Sequence, residues 1–269
     1  MKKIKLLLEY DGAAYQGWQA QRSEVKSEKS EVRSQRTVPT IQGVLEETIK
    51  KITGEDAKVI GASRTDAGVH ALGQVAAFRT ESRLTPETIK RALNALLPQD
   101  IKVLEVSEVD DSFHPRHDAV KKTYFYIIAN QRESSAFLHR YTWMVQQPLE
   151  MKSMKKAGEV LIGTHDFSSF RGAGSSSRNP VREIFSLSIE RLERLDFMTA
   201  SIKGEFIKIR IEANGFLRHM VRNIAGTLVE IGRGKIPADR IKEILKSHNR
   251  RLAGPTAPAN GLFLERIVY

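Results

Sequence analysis

The 269-residue sequence contains no cysteine. This absence excludes disulfide bonds, thiolate metal sites and every mechanism that needs a cysteine nucleophile. A chain without disulfides suits a reducing compartment, so we expect a cytoplasmic protein. The sequence also lacks any apolar run near the roughly 20 residues that span a bilayer. Its opening, MKKIKLLLEYDG, soon reaches a polar turn, which predicts a first β-strand rather than a signal peptide or a membrane segment.

Acidic residues are the scarcer charged type. Lys and Arg number 43 against 32 Asp and Glu, which gives a formal net charge of +11. An excess of this size favours a polyanionic partner, and nucleic acid is the first candidate. A basic surface that serves only solubility is the alternative. The apolar share of 41% and the charged share of 28% are ordinary for a globular protein of one large or two modest domains.

Apolar periodicity predicts a βαββαβ order of elements twice, with an extra helix in the second half. The first half is predicted to have strands and helices at 2–10 (β), 40–53 (α), 57–64 (β), 73–80 (β), 86–97 (α) and 101–109 (β). The second half is predicted to have them at 121–130 (β), 151–162 (α), 181–192 (β), 205–213 (β), 216–231 (α), 238–246 (α) and 262–268 (β). The sequence therefore predicts an α+β protein of two tandem ferredoxin-like, or RRM-like, domains over 1–112 and 113–269.

Local signals mark the ends of the first two helices and one stretch that does not fit a compact fold. Thr40 and Thr85 are predicted N-caps, Pro86 suits the first helical position, and Gly54 is a stop signal. The stretch RSEVKSEKSEVRSQRTVP, residues 22–39, has 8 charged residues and three isolated valines. We expect a mobile surface insertion there, with an RNA-contacting arm as the alternative.

The stretch GASRTDAGVHALGQVAAF, residues 61–78, places Arg64 and Asp66 among small residues between two predicted strands. An Asp before a small residue and Gly is typical of a turn or a helix cap. However, Arg64 can keep a nearby carboxylate ionised, and the small neighbours leave room for a planar ligand. The residues alone leave both interpretations open.

Two further motifs have ordinary explanations. His114 and His117 in FHPRHD form a spaced pair, but without cysteine or an HExxH motif we expect surface or interdomain histidines rather than a metal site. The stretch RGAGSSSR, residues 171–178, lacks the lysine and the strand-to-helix context of a P-loop. It predicts a flexible loop, in which Arg171 and Arg178 are candidates for phosphate contact.

The last candidates are aromatic and basic side chains in the second half. In KKTYFYII, a period of two places Tyr124 and Tyr126 on one face of a strand behind two lysines, which suits base stacking or an ordinary core. In NGFLRHMVRNIAG, Arg218 and Arg222 are four residues apart on a predicted helix, so both can point to one side. That side can bind a phosphate, bind a carboxylate, or be a solvated basic face.

Taken together, these motifs resemble the TruA family of tRNA pseudouridine synthases. The resemblance covers essentially the whole chain in order, and RTDAGVHA and FLRHMVRNIAGTLVEIGRG are its most specific parts. Its segments are YDGAAYQGWQAQ (10–21), GASRTDAGVHALGQVAAF (61–78), FHPRHDAVKKTYFYII (113–128), HDFSSFRG (165–172), NGFLRHMVRNIAGTLVEIGRG (214–234) and APANGLFLERIVY (257–269).

The resemblance implies an isomerase that converts uridine to pseudouridine at positions 38, 39 and 40 in the anticodon stem-loop of tRNAs. It implies no cofactor and no metal, a homodimer, and two ferredoxin-like domains whose antiparallel sheets join beside an RNA-binding cleft. The family's nucleophilic aspartate corresponds to Asp66, its substrate-contacting tyrosine to Tyr124, and its active-site arginine to Arg222. Beside these residues, we expect Arg64 to support the flipped nucleotide or its phosphate, and His70 to have a structural role.

Two other functional classes compete with this interpretation. A non-catalytic RNA-binding protein of the same fold is the first, and such a protein is free to lose Asp66. An RNA uridine methyltransferase is the second, but it needs a glycine-rich cofactor site and commonly a cysteine nucleophile, and neither is present in the sequence. The joint presence of Asp66, Tyr124 and Arg222 favours the isomerase.

The basic excess predicts that tRNA binding depends steeply on salt. Each neutralised phosphate releases counterions, so a surface with about six phosphate contacts loses roughly 10³-fold in affinity between 50 and 200 mM salt. Fluorescence anisotropy with labelled, unmodified tRNA measures this dependence. An affinity that stays constant over that range contradicts a nucleic-acid-binding surface.

Overall fold

The structure is a computed structural model that describes residues 1–19, 38–133, 135–175, 177–197 and 199–269. Contacts divide the chain into two compact units, Met1–Asp118 and Ala119–Tyr269. The predicted domain boundary at 112/113 stays a prediction. Apart from Val38 and Pro39, the charged insertion predicted at 22–39 lies outside the described residues. None of the helices among the described residues combines the length and the apolar character that a membrane span requires.

The first unit has the βαββαβ order that the periodicity predicts. Its strands and helices are β1 (Lys2–Tyr10), α1 (Ile41–Thr53), β2 (Ile60–Gly61), β3 (His70–Thr80), α2 (Pro86–Leu96) and β4 (Ile101–Val109). The strands form a sheet in the order β4-β1-β3-β2, and each neighbouring pair is antiparallel. This order places the end of β1 and the start of β3 side by side, so the segments that adjoin those ends meet.

The helix ends of the first unit follow their capping signals. The Thr40 side chain accepts a hydrogen bond from the Gly43 N–H, and the Thr85 side chain accepts one from the Thr88 N–H. Gly54 ends α1 in a left-handed conformation, with φ 77°. Alternate residues of β1 supply the core, where Ile4 pairs with Phe78 and Leu6 with Ala76 of β3. The fully buried residues of β1 and α1 are Ile4, Leu6, Leu8, Ile41, Leu45 and Ile49.

The second unit repeats the strand order and adds to it. Its strands and helices are β5 (Lys121–Ala129), β6 (Trp143–Met144), α3 (Met151–Val160), β7 (Gly163–Asp166), β8 (Val181–Phe197), β9 (Ala200–Ala213), α4 (Met220–Gly232), α5 (Ile241–Ser247) and β10 (Leu262–Val268). The sheet order is β10-β5-β9-β8-β7 with antiparallel neighbours, and β6 pairs in parallel with the end of β5. The short strands β6 and β7 were not predicted, because two to four residues are too few to show a period.

The strand predicted at 57–64 is much shorter in the structure. Only Ile60 and Gly61 pair with β3, and the chain then leaves the sheet. The strand ends after Gly61 because the Gln74 side chain accepts from the Ser63 N–H (3.2 Å) and donates to the Ser63 carbonyl (2.7 Å). These two backbone groups are therefore not available to a strand ladder, and a loop begins instead.

The helix predicted at 216–231 begins at Met220. His219 adopts a left-handed conformation with φ 60°, and the Arg218 carbonyl accepts from the Gly172 N–H (2.8 Å), so the residues before Met220 follow a bend. The prediction that Arg218 and Arg222 lie one helical turn apart was therefore wrong. Arg218 instead donates from Nη1 to the Ala173 carbonyl (3.0 Å).

Candidate active site

Asp66 lies in the loop between β2 and β3 of the first unit, and its side chain is half-buried. Its carbonyl accepts from the Val69 N–H (3.1 Å), and Gly68 has φ 76°, so residues 66–69 form a tight turn. Arg64 and Ala67 are exposed on either side. The turn that the composition suggested is therefore real, and it presents a carboxylate beside small residues and a cation.

The segment YDGAAYQGW, residues 10–18, packs against this loop and is hydrogen-bonded to it. The Trp18 N–H donates to the Thr65 carbonyl (3.0 Å), and the Gly68 N–H donates to the Tyr15 carbonyl (3.3 Å). A Cβ at Gly17 would overlap the Thr65 carbonyl oxygen, and Gly17 also has φ 86°. Two stretches that are far apart in the sequence thus form one substructure, in which backbone lies against backbone.

Buried polar side chains fix the residues before Asp66. The Tyr10 hydroxyl lies 2.8 Å from Thr65 Oγ1, and Gln74 Nε2 donates to the Tyr10 hydroxyl (3.4 Å). Gln74 is fully buried and also holds Ser63, as described above. Sequence reasoning missed Tyr10 and Gln74. A polar Gln within the apolar run GQVAAF was the signal, since a buried polar side chain needs hydrogen-bond partners.

His70 anchors the other end of the loop. The side chain is 1% exposed, its Nδ1 accepts from the Gly12 N–H (3.1 Å), and the same nitrogen lies 3.0 Å from Asp11 Oδ1. A Cβ at Gly12 would overlap the Val69 carbonyl oxygen, so the two segments are again in close contact. These contacts give His70 a structural position.

Arg64 has another cation for a neighbour. Partial desolvation lowers the pKa of the Arg64 guanidinium, and the charge of Arg116 lowers it further. Arg116 belongs to the HPRHD turn, in which His114 Nδ1 accepts from the N–H groups of Arg116 and His117, at 3.2 Å each. Burial is the main cause of the lowered pKa of His114. The His114 Nδ1 thus stabilises the turn through two hydrogen bonds. This turn places the Arg116 guanidinium close enough to Arg64 to lower its pKa.

Tyr124 and Tyr126 share one face of β5, as the alternation predicts. Tyr124 is 5% exposed, and its ring packs edge-on against Phe216 with 5.2 Å between the ring centroids. Tyr126 is fully buried, and its hydroxyl donates to the Pro258 carbonyl (2.7 Å). Burial raises the pKa of Tyr126 far above its usual value, and the nearby Arg222 guanidinium opposes that rise. Tyr126 is a core residue, whereas only a small part of Tyr124 is accessible.

Arg222 lies in the first turn of α4 and is bound to Ala257 in two ways. The Arg222 Nε donates to the Ala257 carbonyl (2.8 Å), and the Arg222 carbonyl accepts from the Ala257 N–H (3.1 Å). A guanidinium held through Nε has a fixed plane, which suits directional binding of an oxyanion. Arg64 and Asp66 therefore share a loop in the first unit, while Tyr124 and Arg222 both belong to the second.

Comparisons with known proteins give one family. The family model described as "tRNA pseudouridine synthase" matches residues 7–118 and 157–269. The "tRNA pseudouridine synthase A" of Thermoanaerobacter sp. (strain X514) is 45% identical over 269 residues, which is all of both chains. The protein of the same name from Thermodesulfovibrio yellowstonii is 42% identical, and "tRNA pseudouridine synthase A 2" of Bacillus anthracis is 39% identical, again over the whole of each chain.

The close contact at Gly17 predicts a large effect of Gly17→Ala. The substitution adds left-handed strain of about 1–2 kcal/mol and overpacking against the Thr65 carbonyl of about 1–3 kcal/mol. Gly54→Ala is the matched control, because Gly54 also has a positive φ but nothing lies within 4 Å of its Cβ position. We expect only the strain at Gly54.

Urea unfolding measures both losses, and amide hydrogen exchange locates them. In Gly17→Ala, the amides of Trp18, Gly68 and Val69 should exchange faster than in the parent protein, whereas Gly54→Ala should leave them unchanged. If Gly17→Ala is no more destabilising than Gly54→Ala, the 10–18 segment does not support the Asp66 loop.

Proposed function

Because the chain belongs to the tRNA pseudouridine synthase family, we propose that the loop of Asp66 supplies the carboxylate for its reaction. The protein is an isomerase that forms pseudouridine in tRNA. The observation that carries the proposal is the anchored turn at 66–69, which holds a half-buried carboxylate between exposed small and cationic residues.

The reaction needs a group that stabilises or attacks an electron-poor carbon. The N1–C1′ glycosidic bond breaks, the uracil turns while it stays bound, and a C5–C1′ bond forms. The C5 proton is lost to solvent and N1 takes up a proton, so the atoms balance without a cofactor. An ionised Asp66 can attack C1′ or stabilise its positive charge, as carboxylates do in glycoside chemistry.

The anchoring of the loop supports this role. Catalysis by a carboxylate needs its oxygens to stay within a fraction of an ångström of the reacting carbon. Hydrogen bonds from Trp18 and Gly68 hold the backbone on both sides of Asp66, and Tyr10 holds Thr65. The bound uridine therefore meets a carboxylate whose backbone is held in place.

The exposed Arg64 is proposed to bind a phosphate of the flipped nucleotide. Partial burial lowers the pKa of Arg64, and repulsion from the neighbouring Arg116 guanidinium lowers it further. A phosphodiester near Arg64 relieves that repulsion and gains charge-assisted hydrogen bonds. A uridine leaves its stack at a cost of a few kcal/mol, and such contacts offset part of this cost.

The second unit is proposed to contribute Tyr124 and Arg222. The resemblance of KKTYFY and HMVRN to the family motifs gives Tyr124 the contact with the flipped base, and Arg222 the ion pair with Asp66. The low exposure of Tyr124, 5%, favours contact through one edge of its ring, a geometry that positions a base without intercalation. The guanidinium of Arg222, held through its Nε, offers its remaining N–H groups to that carboxylate.

The finer features of the substrate and assembly are proposals as well. We propose that the modified positions are 38, 39 and 40 of the anticodon stem-loop, and that a homodimer acts on tRNA in the cytoplasm, where tRNA is found. We propose further that the units are two ferredoxin-like domains with joined sheets and a cleft. The supporting observation is that the two sheets share one strand order, β4-β1-β3-β2 in the first unit and β10-β5-β9-β8 in the second. In each, the last strand of the unit lies beside the first, and the third lies between the first and the second, when the short β6 and β7 are not counted.

Asp66→Asn tests the central proposal. The amide keeps the size of the side chain but cannot act as a nucleophile or stabilise positive charge, so pseudouridine formation should fall by at least about 10³-fold. Release of tritium from C5-labelled uridine measures it, on tRNAs that carry a single uridine at position 38, 39 or 40. Binding of tRNA should change less than about threefold, since most affinity comes from phosphate contacts.

The matched control is Asp111→Asn, which removes an exposed carboxylate that pairs with Arg79 at 2.7 Å. Its tritium release should equal that of the parent protein. Full activity of Asp66→Asn overturns the nucleophile proposal. Activity at uridines outside positions 38 to 40, and none within them, overturns the proposed positions while leaving the carboxylate role intact.

A further inference from the structure

Asn223, the residue after Arg222, is a fully buried amide with three hydrogen-bond partners. Its Nδ2 donates to the Phe170 carbonyl (2.7 Å), while its Oδ1 accepts from the Thr256 hydroxyl (2.6 Å) and from Arg250 Nη2 (2.9 Å). The first turn of α4 is thereby connected to the segment that precedes β10.

Arg250 binds both Asn223 of α4 and the segment at 253–256. Its Nη1 donates to the Gly254 carbonyl (2.8 Å) and more weakly to the Ala253 carbonyl (3.3 Å), and its Nη2 also reaches Thr256 Oγ1 (3.1 Å). All of these acceptors are neutral, and no carboxylate of the described residues pairs with Arg250. Burial lowers the pKa of this guanidinium. A half-buried cation without a counterion is unusual, so its hydrogen bonds call for an explanation.

The segment that Arg250 holds lies directly against α4. A Cβ at Gly226 would overlap the Pro255 carbonyl oxygen, and the Gly254 N–H donates to Thr227 Oγ1 (2.9 Å). No side chain separates the two backbones, so a shift of one must shift the other. At the end of this segment lies Ala257, whose carbonyl accepts from Arg222 Nε.

We propose that Arg250 is a positioning residue for the isomerisation, because it fixes the 253–257 segment whose last carbonyl orients the Arg222 guanidinium. The inference rests on the proposed role of Arg222 in the reaction. The forked, planar guanidinium is required, since it binds Asn223 and Thr256 with one nitrogen and the 253 and 254 carbonyls with the other. A lysine ammonium has a single nitrogen and cannot reach both sets.

The competing explanation is that Arg250 contributes charge to RNA binding. Its Nη1 and Nη2 both donate within the protein, so a phosphate has to compete with the internal acceptors. Arg250→Lys separates the two explanations, because it keeps the charge and removes the fork. Arg251→Lys is the matched control, since Arg251 is the adjacent, exposed arginine and its side chain donates to none of the described residues.

The experiment measures the single-turnover rate with enzyme in excess, the Kd for tRNA, and the folded fraction of each variant. A misplaced catalytic group costs up to about 10²-fold in rate, so Arg250→Lys should lose roughly 10- to 100-fold. Its Kd should change less than about threefold, because its charge is kept. Arg251→Lys should match the parent protein in both. Thr256→Ser, which retains the hydroxyl, should stay close to the parent rate, and Thr256→Val should lose part of it.

A double-mutant cycle with Arg222→Gln identifies the route of the effect. If Arg250 acts through Arg222, then Arg250→Lys causes no further loss of rate once Arg222 is replaced. A parental rate for Arg222→Gln overturns the proposed role of Arg222. Three outcomes overturn the inference about Arg250 alone. The first is a slow Arg222→Gln together with a parental rate, per folded molecule, of Arg250→Lys. The others are additive losses of rate in the double mutant, and an Arg250→Lys variant that binds tRNA more weakly but reacts at the parental rate.

Discussion

Direct contact between backbones, without side chains in between, fixes two segments of this protein, the loop of Asp66 and the segment that holds the Arg222 side chain. Gly17 lies against the loop of Asp66 in the first unit, and Gly226 lies against the 254–257 segment in the second. At each place a single methyl group would overlap a carbonyl oxygen, because interiors are packed as densely as crystals. The backbone of the Asp66 loop and that of the 254–257 segment therefore each have one position, which also fixes where the Asp66 side chain and the Ala257 carbonyl begin.

Buried polar side chains complete what these contacts begin. Tyr10 and Gln74 bind the backbone and side chain of the residues before Asp66, while Asn223 and Arg250 bind the residues around Arg222. A buried polar group with its partners in place is rigid, and one without them costs about 1–3 kcal/mol. Such networks hold the backbone around Asp66 and Arg222 in place, although Asp66 lies in a loop and Arg222 lies in the first turn of a helix.

The predicted helices and strands agree with the observed ones where the signals are local. The caps Thr40 and Thr85 and the stop at Gly54 act within one turn of chain, so both helices of the first unit begin where the sequence indicates. The strand at 57–64 was predicted to end too late, because Gln74, more than ten residues later, binds Ser63. The start of α4 was predicted too early, because Gly172 binds the Arg218 carbonyl from a remote loop. The ends of these elements were predicted wrongly because a residue distant in the sequence forms the hydrogen bond that a neighbouring strand or helix residue would otherwise form.

The sequence by itself determined the order of the longer strands and helices, the basic charge, the absence of thiol chemistry, and the family to which Asp66, Tyr124 and Arg222 point. These properties depend on local patterns or on residue identity, which the chain states directly. Only the tertiary structure decided that residues 10–18 support the Asp66 loop, and that Arg250 is tied to Asn223. Those relations depend on hydrogen bonds and close packing between residues distant in the chain, which no local pattern encodes.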